Sequence, residues 1–478
     1  MKIIRNNIFV LTAAAMLFAL VFSGCKKEKL SPIPQTVLSD AVAFATPERV
    51  QQQVFGVYAA VKSGQFLGGR AIVYQDVRGE DWINITGNGV TAVGVWNFSI
   101  VSSDNQVENM WSAGYAAINR ANVVLEGIET NINAIPATLA NQYRGEVRFL
   151  RALCYFNLVN LYGRRPFAAD NGASPGVPLR LTASRSNVGS DLARSTVGEV
   201  YNQILSDLTF AEQNAPLNYA GGDSVVTRVH RNAAIAFKTR VYLNMARYAD
   251  VITEANKIVP AAPPFVAGSG RPHALAPNIL TVFRSSYTNA ESIFSLPMSQ
   301  NSAPGTQNGL ALYHNAEFAL NTGPEGILSN PQFSATDARR TNFVTATTPV
   351  RYSKFNDDNN NYVPIIRYSE VLLNLAEALA RQNTGVDARA LLLLNAVHGR
   401  SDATVLAPAT QAALINAILT ERRIEFLGEG LRGLDIMRTS QAFPAKGSVS
   451  GVPTSSLSYV WPIPASELLY NKAMTANQ

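Results

Sequence analysis

One segment of this 478-residue chain constrains its fold more than any other. The residues from Tyr143 to Tyr162 carry two apolar stripes at helical spacing. One stripe holds Phe149, Ala152, Leu153 and Phe156, and the other holds Val147, Leu150, Cys154, Leu158 and Leu161. A surface helix has one apolar face, so a helix with two must lie between neighbours. The segment predicts stacked helices, as in an α-solenoid of helical hairpins, although the residues show no clean fixed-period repeat.

Helical periodicity recurs along most of the chain. Thr46 is a predicted N-cap, Pro47 the first helical residue, and Gly64 the end of that helix. Other helices are predicted at 109–128, 143–162, 196–212, 232–246, 249–258, 367–381, 387–397 and 410–427, with a last turn at 465–470. The expected fold class is therefore mainly α.

Two long stretches lack this periodicity. Residues 65–105 are rich in glycine, asparagine and aromatic residues, and residues 259–361 hold many prolines, glycines and asparagines with an extended candidate at 292–297. Long irregular stretches of this kind often carry function. We expect the second stretch to be a loop-rich excursion packed on the helices.

Cys25 ends an apolar segment near the amino terminus. Residues 8–22 are apolar except for Thr12, follow Lys2 and Arg5, and are fewer than the roughly 20 residues of a spanning helix. This pattern is typical of a secretory signal peptide, and the two small residues before the cysteine complete a lipobox. We expect cleavage after residue 24 and lipidation of Cys25, with a transmembrane anchor as the alternative.

These patterns divide the chain into three regions. Residues 1–24 are a predicted lipoprotein signal peptide, residues 25–40 a lipidated flexible tether, and residues 41–478 one folded domain. The domain is expected to comprise a mainly helical part at 41–258, the excursion at 259–361, and a second helical part at 362–478.

Composition argues against several functions. With Lys2 and Arg5 removed, the formal charge falls from +6 to +4, and no helix carries a basic stripe, so nucleic-acid binding is not expected. The four histidines lie far apart without other ligands at metal spacing, and no phosphate-binding loop or nucleophile elbow is present. We predict no metal, no cofactor and no catalytic residues.

Several longer strings resemble one known family. They are MWSAGYAAINRAN at 110–122, GEVRFLRALCYFNLVNLYGRRP at 145–166, RYSEVLLNLAEALA at 367–380, ERRIEFLGEGLRGLDIMR at 421–438 and WPIPASELLYN at 461–471. Together they resemble the SusD/RagB family over almost the whole chain. The resemblance implies tetratricopeptide-type helical hairpins (a SusD-like fold) in a nutrient-binding lipoprotein of Bacteroidetes that does not cleave its ligand.

The resemblance also implies a partner and a location. Such proteins close like a lid over a SusC-type TonB-dependent outer-membrane barrel, to which they deliver glycans or, in the RagB branch, peptides. We therefore expect an outer-membrane lipoprotein, held by its lipid and facing outward. The lysine-rich run at 26–29 differs from the acidic run expected for surface display, which leaves a periplasmic orientation as the alternative.

Charged and aromatic residues inside the matching strings are expected to be scaffold. Buried charges need partners, so Glu146, Arg148, Arg151 and the charges of 421–425 are interpreted as ion pairs. Trp111 and Trp461 are assigned to packing in the same way.

Ligand-binding residues are sought in the irregular stretches instead. Sugars pack on aromatic faces and pair with amides, carboxylates and guanidinium groups. Trp82 and Trp96 are the leading candidates, with burial in the core as the alternative for both. The other candidates are Tyr74, Asp76, Arg78, Asp81, Asn84, Tyr287, Tyr313 and Asn315. A glycan is the favoured ligand, and a peptide ligand, a glycan-active enzyme and a structural envelope protein are the alternatives.

Overall fold

A computed structural model describes residues 40–186, 189–284 and 287–477. Cys25, the signal peptide and the tether up to residue 39 lie outside these residues. The longer helices are α1 Pro47–Val61, α2 Arg70–Val77, α3 Asn105–Thr130, α4 Ala137–Tyr162, α5 Val197–Asn214, α6 Arg231–Asn244, α7 Tyr248–Ala255, α8 Tyr368–Gln382, α9 Ala388–Gly399 and α10 Gln411–Glu425. The mainly α fold class is confirmed.

Short helical segments and strands connect these helices. The segments include Asp40–Ala43, Val93–Trp96, Phe167–Asp170, Ser224–Thr227, Ile279–Phe283, Leu310–Leu312, Ala338–Phe343, Arg432–Arg438 and Ala465–Tyr470. The strands are β1 Trp82–Asn84, β2 Ser292–Pro297, β3 Phe318–Leu320 and β4 Tyr362–Arg367. The predicted strand at 292–297 and the predicted turn at 465–470 are confirmed.

The helices stack in chain order. Each helix from α3 to α9 packs on the next one, and α1 packs on both α3 and α4. Thr46 caps α1, since its hydroxyl accepts from the backbone N–H of Arg49 at 3.4 Å. This succession is what stacked hairpins require, whereas the tetratricopeptide type of the repeat stays a prediction.

Helix α4 is buried on both sides, as its two apolar stripes predict. The rings of Phe149 and Phe156 lie 5.7 and 5.2 Å from the ring of Phe237 on α6. Trp111 and Trp461, predicted to be packing residues, are only 4% and 1% exposed. Helix α4 is therefore central to the core.

Two antiparallel ladders fasten the excursion to the helical parts. β1 pairs with β3, so that Trp82 lies opposite Leu320. β2 pairs with β4, and Pro297 lies opposite Tyr362. The excursion is therefore joined to residues on both sides of it in the sequence.

Buried ion pairs make further connections. On α4, Arg148 and Arg151 both pair with Asp207 of α5, at 2.7 and 2.8 Å, and Glu146 pairs with Arg228. A larger group, the buried ion cluster, joins the excursion to the second helical part. Its members are Glu291, Asp337, Arg339, Lys354, Arg367, Arg400, Glu421, Glu425 and Glu429. The predicted scaffold role of these charged strings is confirmed.

The prediction for residues 65–105 was only partly right. This stretch contains α2, β1 and the segment Val93–Trp96. Helix α2 is only 8 residues long, no side chain caps it, and all its residues are buried, so the sequence gives few signals for it. No helix among the described residues is both long and apolar enough to cross a membrane.

Candidate functional site

Trp82 was predicted to stack on a ligand, but the structure places it in the core. Its indole stacks on the imidazole of His314 with ring centroids 4.6 Å apart, and its side chain is 1% exposed. Burial, together with the charge of Lys354, lowers the pKa of His314 to about 3. This neutral, enclosed pair offers no face to a sugar in this conformation.

Tyr74 and Asp76 lie on α2 and are buried as well. The Tyr74 ring packs 5.3 Å from that of Trp461. Asp76 Oδ2 accepts from the backbone N–H of Gly430 at 2.9 Å, and burial raises the pKa of this carboxyl to about 8. Both side chains hold α2 against the second helical part and are closed to a ligand.

Arg78 and Asp81 follow α2 and are each 1% exposed. The Arg78 guanidinium donates to the carbonyl of Tyr459 and lies 4.4 Å from the ring centroid of Phe443. Burial lowers the pKa of Arg78 to about 10. Asp81 is paired with Arg423, whose Nε donates at 2.9 Å. As with Trp82, the expectation of an exposed ligand surface is contradicted by burial.

The remaining polar candidates are held by hydrogen bonds to the backbone. Tyr313 is buried and donates to the carbonyl of Gln307 at 3.1 Å. Asn315 is half-buried and its amide donates to the carbonyl of Phe355 at 2.8 Å. Asn84 is half-buried, and its Oδ1 accepts from the backbone N–H of Gly87, three residues along the chain, at 2.8 Å. None of the three extends free into solvent.

Trp96 is the predicted tryptophan that reaches a cavity. Its Nε1 donates to the carbonyl of Trp82 at 2.7 Å, and the residue is 8% exposed. Trp96 lines a cavity of about 520 Å³, which we call the hairpin groove. The groove is lined by residues 96–98, 448–453, 456 and 458.

A β-hairpin forms one wall of the groove. Phe443 pairs with Val452 and Lys446 pairs with Val449. The buried Nζ of Lys446 donates to the carbonyls of Arg78 and Gly79 at 2.9 and 3.0 Å, at the end of α2. A cation placed there complements the partial negative charge of a helix end and fixes the hairpin next to Trp96.

Phe98 forms the other aromatic part of the groove. Its ring packs 5.1 Å from that of Phe443, and Lys446 Nζ lies 4.8 Å from its centroid. The backbone of Phe98 has φ +59°, a left-handed conformation rare for a bulky residue. Such a conformation costs about 1–3 kcal/mol and concentrates at functional sites.

A second aromatic surface lies at the start of β4. Tyr287 and Tyr362 stack with ring centroids 4.5 Å apart and an interplanar angle of 8°, and both are half-buried. The Tyr287 hydroxyl donates to Asn361 at 3.0 Å. Tyr287, one of the predicted ligand-binding residues, therefore lies in a half-buried tyrosine pair and not in the core.

Sequence reasoning missed Phe98, Tyr362 and the serines of the hairpin. Ser448 and Ser450 are exposed at the groove. The two serines belong to the string GSVSG at 447–451, whose composition is typical of a turn. This string predicts a hairpin, but it does not predict which residues the hairpin packs against. The contact between this hairpin and Trp96 depends on long-range packing.

Two family models together match most of the chain. A family model described as "SusD family" matches residues 239–478, and a SusD-like model described as "Starch-binding associating with outer membrane" matches residues 33–243. The chain belongs to the SusD family, as its sequence strings predicted. This is a carbohydrate-binding, outer-membrane-associated family.

Solved structures share the fold. The chain is similar to a SusD superfamily protein from Bacteroides fragilis, with 34% identity and a TM-score of 0.81 over 90% of this chain and 99% of that one. A SusD superfamily protein from Bacteroides thetaiotaomicron is 24% identical, with a TM-score of 0.80 over 91% of this chain and all of that one. A structure named "Laminarin binding SusD-like protein" is 21% identical, with a TM-score of 0.71 over 90% of this chain and 99% of that one.

Curated relatives occur in Formosa agariphila. SusD-like protein P25 is 27% identical, and the match spans 58% of this chain but half the length of that relative. SusD-like protein P2 is 23% identical over 98% of this chain and 99% of its own length.

Proposed function

We propose that this chain is a non-catalytic lipoprotein that binds oligo- or polysaccharides in the hairpin groove. The observation that carries the proposal is the groove itself, which brings the aromatic residues Trp96 and Phe98 together with several serines. A sugar presents C–H faces to aromatic rings and hydroxyl groups to such a rim. The volume of the hairpin groove, about 520 Å³, is in the range of small-molecule sites.

The lining of the groove supports binding without cleavage. Among the described residues that line it there is no aspartate or glutamate. Glycoside hydrolysis generally uses two carboxyl groups on either side of the scissile bond. We therefore expect a bound glycan to be released uncleaved.

Delivery to a transporter completes the proposal. Lipidation at Cys25 would hold the protein at the outer membrane, facing outward, and the tether would let it close over a SusC-type TonB-dependent barrel as a lid. The family description of association with the outer membrane supports this role. Co-purification of the full lipoprotein from outer membranes should yield a TonB-dependent barrel in equimolar amount, and its absence would refute the partnership.

Calorimetric titration with laminarin, maltooligosaccharides and a mixed peptide pool tests the ligand. The variant Phe98→Asn removes the ring, while asparagine tolerates the left-handed backbone. The matched control is Phe55→Asn, at a phenylalanine on α1 that is 37% exposed and outside the groove. We expect glycan affinity to fall at least tenfold for Phe98→Asn and to stay unchanged for the control.

A second pair of variants tests the groove without removing an aromatic residue. Ser450→Trp should fill the groove and abolish binding, whereas Ser206→Trp, at an exposed serine on α5, should not. If Tyr362→Ala abolished glycan binding and both groove variants bound normally, the tyrosine pair would be the site. Binding of peptides but of no glycan would replace the glycan with a peptide as the ligand.

A further inference from the structure

A second cavity adjoins the hairpin groove. It has a volume of about 360 Å³ and lies between residues 164–169 and the segments around 440 and 454–460. Ser456 lines both this cavity and the groove. The two cavities therefore share a wall residue, and we call the second one the arginine cavity.

Two arginines form one side of the arginine cavity. Arg164 and Arg165 follow the end of α4 directly after Gly163, and both side chains are exposed. Within the described part of the chain, neither guanidinium has an ion-pair or hydrogen-bond partner. By contrast, Arg148 and Arg151 on α4 are both paired with Asp207. Two adjacent like charges repel, so this pair is suited to an external anion.

The surroundings add positive potential. The charge of Arg164 acts on the neighbouring Arg194, whose pKa is lowered to about 10, mainly by burial. The buried guanidinium of Arg78 donates to the carbonyl of Tyr459, another residue of the cavity wall. No carboxylate occurs among the described residues that line the cavity.

Hydroxyl groups form the opposite side. Ser440, Thr454, Ser455 and Ser456 all line the cavity, and Thr454 and Ser455 are exposed. Guanidinium and hydroxyl donors together suit an oxyanion with several acceptor oxygens, such as a carboxylate or a sulfate. Arginine in particular binds such groups with two parallel N–H bonds.

We propose that the arginine cavity binds the carboxylate or sulfate group of an acidic glycan whose neighbouring sugar occupies the hairpin groove. This inference rests on the proposed glycan-binding function and specifies its ligand class. A hexose unit with one anionic substituent fits a cavity of this size, whereas an extended macromolecular surface does not.

Calorimetric titration of the full chain with three probes tests the inference. The probes are an oligoglucuronate, a sulfated galactan oligosaccharide and a neutral laminarin oligosaccharide. We expect at least one acidic probe to bind at least tenfold more tightly than laminarin, with an affinity that falls as salt rises. The probe that binds more tightly identifies carboxylate or sulfate as the anion.

Charge-matched double variants locate the anion. Arg164→Gln with Arg165→Gln should weaken the acidic probe at least tenfold and remove most of its salt dependence, while laminarin affinity stays within twofold. Arg120→Gln with Arg247→Gln removes the same charge from exposed arginines outside both cavities and should have no effect. Retained laminarin affinity also shows that the first double variant is folded.

Several results would overturn the inference. Equal weakening by the two double variants would mean that only net charge matters. Preference for laminarin over both acidic probes would reject an acidic ligand and leave the proposed glycan-binding function intact. Loss of barrel co-purification with unchanged acidic-glycan affinity would assign the arginines to the transporter interface. Failure of all three probes and of all other glycans would instead refute the proposed function itself.

Discussion

Replacing Trp82 by alanine should destabilise the protein strongly and leave ligand affinity unchanged. The side chain is 1% exposed and stacks on His314 at 4.6 Å. Truncation of a buried tryptophan to alanine typically costs about 3–5 kcal/mol, because the cavity collapses only in part. The lost aromatic contact, worth about 0.5–1.5 kcal/mol, falls within that total. Since folded proteins are stable by about 5–15 kcal/mol, the loss should be readily measured.

Equilibrium unfolding in urea, followed by far-ultraviolet circular dichroism, measures this loss without relying on tryptophan fluorescence. Trp82→Phe, which keeps an apolar ring, should lose clearly less stability than Trp82→Ala. Calorimetric titration of both variants with the glycan that the wild type binds gives the affinity. Two results together would refute the assignment of Trp82 to the core. They are an unfolding free energy of Trp82→Ala within about 0.5 kcal/mol of wild type, as is usual for surface substitutions, and a tenfold loss of its glycan affinity.

Three further predictions test buried polar groups. Because the pKa of Asp76 is raised to about 8 in the folded protein from about 3.9 in an unfolded chain, the folded state keeps a proton that the unfolded chain releases. The unfolding free energy should therefore fall as pH rises between these values, and Asp76→Asn should flatten that decline in urea titrations at pH 5 and pH 8. Burial raises the pKa of the Cys154 thiol, so in a Cys25→Ser protein a thiol reagent should label nothing until denaturant is added, and then one thiol per chain. Arg367→Met removes a shared partner of Glu291, Glu425 and Glu429 and leaves the buried ion cluster with one more uncompensated negative charge, so it should cost about 3–5 kcal/mol. Arg247→Met at an exposed pair should cost less than about 1 kcal/mol.

The helices were predictable where one face is polar or where capping residues are present. Helix α1 begins at Pro47 after its Thr46 cap, as predicted, and α4 extends to Tyr162 with both stripes buried. Helix α2 was not predictable, because it is only 8 residues long, no side chain caps it, and burial of all its residues leaves no polar face. Burial alone does not hide a helix, since the longer helices α6 and α8 are almost as buried and were predicted.

The candidate site was less predictable than the fold. Aromatic and polar residue types in an irregular stretch suggested a ligand surface, but their exposure depends on contacts far along the sequence. Trp82 is buried because β1 pairs with β3, which lies in the excursion. Phe98 and the hairpin at 443–452 meet only in the folded chain, and the left-handed backbone of Phe98 leaves no pattern in the sequence.

The two predicted tryptophans thus have different but connected positions. Trp96 reaches the groove in the orientation set by its hydrogen bond to the carbonyl of Trp82 at 2.7 Å. That acceptor is a backbone atom of β1, whose position the pairing with β3 fixes, and alanine at residue 82 retains it. The indole of Trp82 therefore contributes to stability, whereas its carbonyl orients the groove. This separation is why Trp82→Ala should reduce the unfolding free energy without altering affinity.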